Sequence, residues 1–243
     1  MRCIPFSLAL TVAALAVPAA FADALLTVRT HVDSFEIAGK KQAPREGEIR
    51  IWVGETGTRR DDGPKTTLLR TDRRKLYLLD HDERTYSTID LPVDLARLTP
   101  ADQRATLNEL IAATKVQVTV AKTAESKKVG GFAAERYNVT VAGGGKKIFD
   151  STLWVSKDVS GFAQANQVAA QLAALQPGSA DWAAELERLP GYPVLQETVL
   201  EVTGAKVRSR EELTAVEAKA APAGTYEIPD GYRAMPYDPL SGE

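Results

Sequence analysis

A chain of 243 residues with 44% hydrophobic and 26% charged residues is long enough to bury a sizeable core. Its formal net charge of −2 argues against a nucleic-acid binder that works through a basic face. Its one cysteine, Cys3, falls in the N-terminal leader read below, so disulfide and thiolate chemistry are excluded from the mature chain.

The leader is the first element. Arg2 supplies a positive start, Leu8 to Val17 an apolar run, and Ala20-Phe21-Ala22 a small-x-small cleavage site. Pro18 breaks the run before it reaches the length of a membrane span. The reading is a signal peptide over residues 1–22, cleaved between Ala22 and Asp23, and a mature protein that is periplasmic or secreted. Cys3 precedes the apolar run, where a lipid-bearing cysteine would follow it. No later segment is apolar enough to span a bilayer, so no transmembrane segment is expected in the mature chain.

From Asp23 the pattern is mostly that of strands. Ala24 to Ile37 has strand character, and Gly39 to Gly47 reads as a polar loop. Glu48 to Val53 alternates, with Ile49, Ile51 and Val53 on one side and Arg50 and Trp52 on the other, the period of a half-buried strand. Gly54 and Gly57 mark a turn, and Asp61-Asp62-Gly63-Pro64 a second. Thr66 to Arg70, Lys75 to Leu79 and Arg84 to Leu91 continue a meander of short antiparallel strands.

Thr99-Pro100 with Asp102 three residues on predicts a capped helix start, followed by Leu107, Leu110, Ile111 and Thr114 on one face. Val116, Val118 and Val120 give the clearest strand. A hairpin through Glu125 to Gly131 returns along Tyr137, Val139 and Val141, and Gly143-Gly144-Gly145 turns into Ile148 to Lys157. Two helices follow. The first carries Phe162, Ala165, Ala169 and Leu172 on one stripe. The second is capped by Ser179 and carries Trp182, Leu186 and Leu189. Val194 to Thr203 and Ala205 to Lys219 read as a long hairpin turning near Gly204, whose Arg- and Glu-rich second arm suggests a solvated face or an edge protected from pairing. The expected architecture is α+β, a single antiparallel sheet with helices packed on one side and one domain over residues 23–243.

Three stretches carry a resemblance. They are Arg50-Ile51-Trp52-Val53 to Arg59-Arg60-Asp61 with the following Leu76 to Asp80 and Arg84-Thr85-Tyr86; Val129 to Tyr137 leading into Leu153 to Asp158; and the closing Tyr226-Glu227-Ile228-Pro229-Asp230-Gly231-Tyr232-Arg233-Ala234-Met235-Pro236. In this order they resemble a domain of unknown function found in exported bacterial proteins and related to the LolA/LolB-like lipoprotein carriers. The resemblance implies a strongly curved antiparallel sheet, an incomplete β-barrel, with helices plugging its open side. It brings no catalytic residues with it.

The residues themselves offer no catalytic set. His31 and His81 are the only histidines. His81 sits in Asp80-His81-Asp82-Glu83, a polar turn with too few converging ligands for a metal site. There is no G-x-S-x-G elbow, and Asp61-Asp62 and Glu211-Glu212 are sequence neighbours that face opposite sides of a strand. Gly143-Gly144-Gly145-Lys146 lacks the spacing of a phosphate loop. The expectation is a non-enzyme with no cofactor and no metal. Trp52, Tyr77, Trp154, Phe162 and Trp182 are expected to face one interior, as packed core or as the lining of an apolar cavity. The leading functional reading is a periplasmic or secreted carrier-like protein for an apolar or lipid-like ligand. The alternative is a structural or protein-interaction module of the cell envelope, with an envelope protein as partner and a filled core.

Overall fold

The structure, a computed structural model, describes residues 23–37, 39–202 and 204–241. The expected leader and the cleavage site expected after Ala22 lie outside the described residues. The strands are β1 (Ala24–Val32), β2 (Phe35–Ile37), β3 (Lys40–Gln42), β4 (Arg45–Val53), β5 (Gly57–Asp62), β6 (Lys65–Arg70), β7 (Lys75–Asp80), β8 (Thr85–Asp90), β9 (Val116–Val129), β10 (Phe132–Gly143), β11 (Lys146–Ser156), β12 (Tyr192–Val202), β13 (Ala205–Ala218) and β14 (Arg233–Ala234). The helices are α1 (Leu95–Leu98), α2 (Arg104–Thr114), α3 (Phe162–Ala174) and α4 (Ala180–Arg188). Among the described residues no helix is long and apolar enough to cross a membrane.

Twelve of these strands form one sheet in the order β14-β8-β7-β6-β5-β4-β1-β13-β12-β11-β10-β9, and β2 and β3 make a separate hairpin. Every pairing in the large sheet is antiparallel except that of β14 with β8. The two ends, β14 and β9, do not pair, so the sheet is not closed into a barrel. Short turns hold the meander. The β9–β10 hairpin turns on Gly130 and Gly131, at φ 55° and 92°, a conformation that residues with a Cβ seldom adopt.

Register assigns side chains to faces. Ala24, Val53, Thr58, Leu69, Leu76 and Ile89 stand opposite one another in one cross-strand row. The next row on the same face is Leu26, Ile51, Arg60, Thr67, Leu78 and Ser87, and the third is Val28, Ile49, Asp62, Lys65, Asp80 and Thr85. The face therefore grades from apolar to charged.

Helix α3 lies across it. At its start, a Cβ on Gly161 would stand 2.8 Å from Val53 Cγ1 of β4. Asn166 Nδ2 donates to the Gly191 carbonyl, just ahead of β12, at 2.9 Å. Farther along, Val168 and Leu175 share a buried cluster with Leu69, Leu76 and Ile89 of β6, β7 and β8. Strands β8 and β12 are seven steps apart in the sheet. In a flat sheet that distance is roughly 34 Å, whereas a 13-residue helix is only about 20 Å long. The sheet must bend around the helix to meet it at both places. Helix α4 continues on this side over β9 to β11, with Trp182, Leu186 and Leu189 packed against Val116, Tyr137, Val139, Val141 and Leu153.

Four local expectations need correction. The stretch read as one strand to Ile37 and a polar loop to Gly47 is the end of β1, the β2–β3 hairpin and the start of β4. Thr99 does not cap a helix start. Asp94 caps α1 through Ala96 N, while the Thr99 hydroxyl donates back to the Leu95 carbonyl at 2.8 Å, and α2 begins only at Arg104. Ser179 occupies the cap position of α4 without a side-chain hydrogen bond. The charged arm β13 is not an edge, because it pairs with β12 on one side and β1 on the other. Its Lys206, Arg208 and Arg210 alternate outward into solvent, so the charge protects a face and leaves both backbone edges free to pair.

Candidate functional site

A half-open cavity of about 620 Å³ lies on the helix-bearing face of β5 to β8. Its floor is the second and third cross-strand rows: Arg60, Thr67, Leu78 and Ser87, then Asp62, Lys65, Asp80 and Thr85. Leu172, Leu175 and Gln176 from the end of α3 make one wall. The opposite wall is the C-terminal tail, through Arg233, Met235, Pro236, Tyr237 and Asp238.

The tail reaches this position by wrapping the β8 edge. Tyr226, Ile228 and Tyr232 pack against Leu68, Tyr77 and Leu79 on the opposite, outer face of the sheet. Arg233 N donates to the Arg84 carbonyl at 2.9 Å and Met235 N to the Tyr86 carbonyl at 2.8 Å, forming the short parallel β14. Tyr237 then enters the helix-bearing side, where its hydroxyl donates to the Leu175 carbonyl at 3.2 Å. Burial pushes that hydroxyl's pKa up. Met235, at the cavity, is 41% exposed and is the large apolar side chain left open to solvent among the described residues.

Four charged residues of the floor pair with one another. Arg60 Nη2 lies 2.9 Å from Asp62 Oδ2, and Lys65 pairs with Asp80. The Lys65 hydrogen bond, helped by the backbone of Glu83, holds the Asp80 carboxyl below the usual carboxylate range.

The tail is anchored on the outer face by Arg70, which is 5% exposed. Its guanidinium donates twice to Asp72, at 2.9 and 2.8 Å, and to the Tyr226 carbonyl and Glu227 at 2.7 and 2.6 Å. Beside it runs a polar chain. Thr66 donates to Asp61, His81 Nε2 lies 2.7 Å from the Thr66 hydroxyl, and Tyr232 Oη lies 2.6 Å from His81 Nδ1. With the Thr66 proton committed to Asp61, the consistent assignment has Nε2–H donating to Thr66 and the Tyr232 hydroxyl donating to Nδ1. Both ring nitrogens of His81 are thus engaged, and the hydroxyl between acid and imidazole belongs to a residue 1% exposed. His31 is the other histidine. It lies between Glu46 and Asp33, whose hydrogen bonds raise its pKa.

The five aromatics picked from sequence do not share one interior. Trp52 and Tyr77 stand in a single outer-face row, Leu25-Trp52-Arg59-Leu68-Tyr77. Trp52 is half-buried with Lys219 Nζ 5.4 Å from its ring centre. Trp154 pairs with Leu195 and packs with Val129 and Ala134 from the β9–β10 hairpin, with Lys127 Nζ 3.9 Å over its ring. Phe162 and Trp182 are on the helix side, but Phe162 packs with the β1–β4 cluster and Trp182 against Phe149 at a centroid distance of 6.0 Å. None of the five lines the 620 Å³ cavity. Period two divides a strand into two faces without saying which is covered, and here Trp52 and Tyr77 fall on the face covered by the tail. Sequence reasoning missed Arg60, Thr67 and Ser87 as floor residues. The alternation of β5 to β8 carried that signal, and the closing motif through Met235-Pro236 marked the tail.

Comparison with known proteins adds the family. The family described as a domain of unknown function (DUF4412) matches residues 48–232. The chain belongs to this family. The likeness read from the strand, hairpin and tail motifs is borne out by that match. Comparison with curated proteins finds no match. Among solved structures, the chain is similar to a LolA superfamily protein from Nitrosomonas europaea, at 6% identity over 83% of this chain and 89% of that one, TM-score 0.32. It is also similar to a putative outer membrane lipoprotein-sorting protein domain from Vibrio parahaemolyticus, at 8% identity over 81% and 85%, TM-score 0.30.

Proposed function

We propose that this member of the family is an exported, non-catalytic carrier-like protein, and that the cavity between β5–β8, α3 and the tail holds an apolar or lipid-like ligand. The observation that carries the reading is the cavity itself: about 620 Å³, walled by Leu172, Leu175, Met235, Pro236 and Tyr237 over a floor containing Leu78. That size suits a small ligand or part of an acyl chain, and the apolar walls would take the chain while the floor around Leu78 is polar and charged through Arg60, Thr67, Ser87, Asp62, Lys65, Asp80 and Thr85. Export is supported by Arg2, the apolar run and Ala20-Phe21-Ala22. The non-catalytic reading is supported by the engagement of the buried Thr66 hydroxyl by both Asp61 and His81.

The test is native mass spectrometry and lipid extraction of protein recovered from the periplasm, with N-terminal sequencing. The mature chain should begin at Asp23 and carry an extractable amphiphile. Ser87→Trp, which places a large ring on the cavity floor, should weaken displacement of a neutral naphthylamine dye at least about tenfold, ~1.4 kcal/mol. A full-length N-terminus in a cytoplasmic pool refutes export. Absence of any ligand, with dye binding indifferent to Ser87→Trp, favours the rival reading of an envelope interaction module. The close packing of Trp154 and Tyr77 in filled clusters is the observation on that side.

A further inference from the structure

The cavity floor carries charged and neutral polar groups, and only the charged ones are matched within the protein. Arg60 stands 2.9 Å from Asp62, and Lys65 lies in register between Asp62 and Asp80, with which it pairs. The other charged residues lining the cavity, Glu83, Arg233 and Asp238, are exposed to water. The neutral groups have no such partners. Thr67 and Ser87 stand on either side of Leu78 in the second row, and Thr85 ends the third. All three line the cavity, and none makes a side-chain hydrogen bond with a described residue. Thr67 is only 6% exposed, and the space its side chain meets is the cavity.

A side chain this deeply buried usually has its hydroxyl hydrogen-bonded, because leaving it bare forfeits the bonds it made in water. The row next to it on the same face shows the alternative. There Leu69, Leu76 and Ile89 are apolar and are closed over by Val168 and Leu175 of the α3 segment. Leaving α3, the floor therefore passes from apolar, through the hydroxyls of Thr67 and Ser87, to the ion pairs. Those two hydroxyls are two strands apart, roughly 10 Å. A charged head placed over them would have to draw Arg60 from Asp62 or Lys65 from Asp80, or stay without a counter-ion. Either course costs more than a hydrogen bond returns. An uncharged head that both donates and accepts meets the hydroxyls as they stand.

We propose that the ligand of this cavity is an amphiphile with an uncharged, hydroxyl-bearing head, which Thr67 and Ser87 hydrogen-bond while its chain lies against Leu172, Leu175 and Tyr237. This assignment rests on the carrier reading above and adds the chemistry of the head. Thr85 continues the polar strip beside Asp80, so a head with a further hydroxyl finds a partner there.

The test uses the whole mature chain and displacement of the neutral dye at pH 7.5, where dodecanol is uncharged, dodecanoate anionic and dodecylamine cationic, with butanol as the head without a long chain. Dodecanol should displace the dye at least about fivefold more tightly than either charged probe. Thr67→Val and Ser87→Ala should each weaken dodecanol about three- to tenfold, the range of one net hydrogen bond, and leave the dye's own affinity within about twofold. Thr88→Val, beside Tyr77 on the outer face, should change neither. Because the Thr67 hydroxyl has no partner among the described residues, the urea midpoint of Thr67→Val should match or exceed that of wild type. A lower midpoint would show that the protein itself uses the hydroxyl, and overturns the assignment. So does dodecanoate or dodecylamine displacing the dye as well as dodecanol, or dodecanol indifferent to both substitutions; in each of these cases the bound dye leaves the carrier reading standing. Butanol competing as well as dodecanol removes the chain from the ligand and overturns both readings. Failure of the dye and of all three twelve-carbon probes to bind overturns both as well.

Discussion

Replacing Arg70 by Ala should loosen the cavity without touching it. Arg70 is 5% exposed and ties β6 to the tail through Asp72, Glu227 and the Tyr226 carbonyl. Removing one partner of a fully buried ion pair costs about 3–5 kcal/mol. Here the stranded carboxylates of Asp72 and Glu227 are 39% and 52% exposed and regain water, which places the cost near the lower bound, about 3 kcal/mol. For a chain of this size that is a fall of about 6–12 °C in Tm. The tail segment from Tyr226 to Tyr237 carries one cavity wall, so its protection from hydrogen exchange should fall first and dye affinity should fall with it. Hydrogen bonds from Arg70 hold the Asp72 and Glu227 carboxyls below their usual range. Their contribution is present above the unfolded carboxylate pKa and is lost as pH falls through the lowered folded values. The difference between wild type and Arg70→Ala should therefore shrink in acid. A Tm change under about 2 °C at pH 7, or a tail whose exchange is unaltered, would refute the reasoning.

Trp154→Ala should cost about 3–5 kcal/mol in urea denaturation, because the ring is 7% exposed and packed on several sides, whereas half-buried Trp52→Ala should cost about 1–2 kcal/mol; equal losses would contradict the packing described. Gly191→Ala should lower the urea midpoint by about 1–3 kcal/mol of stability or more, since its Cβ would stand 2.2 Å from the Ser156 carbonyl oxygen, and an unchanged midpoint would show that the β11–β12 approach is looser. Glu211→Gln should be more stable than wild type at pH 7.5 and equal to it near pH 4. A carboxyl with a raised folded pKa binds more protons folded than unfolded, so wild-type stability falls as pH rises through the unfolded value towards the folded one. A variant less stable than wild type at pH 7.5 would mean that Glu211 has a partner.

Much of the sheet was legible in the alternation of side chains. Ile49, Ile51 and Val53, or Val116, Val118 and Val120, can bury one face only as strands. The two-residue glycine turns and the long hairpin at Gly204 follow from local chemistry of the same kind, and the ordered motifs from Arg50 to Met235 were enough to place the chain in its family. Caps were less legible, because Thr99 and Asp94 both carry suitable oxygens and only the chain path selects Asp94. Strand order was not legible at all. β13 looks like a charged edge until β1, nearly the whole chain away in sequence, pairs along it and leaves its charges to solvent. The site depends on the same long-range choices. Arg60, Ser87, Leu175 and Tyr237 meet because the sheet bends around α3 and the tail wraps the β8 edge. Periodicity is a property of neighbouring residues and fixes which side chains share a face. Which face is covered, and by what, is decided by the docking of segments far apart in the chain, whose energy no local pattern records.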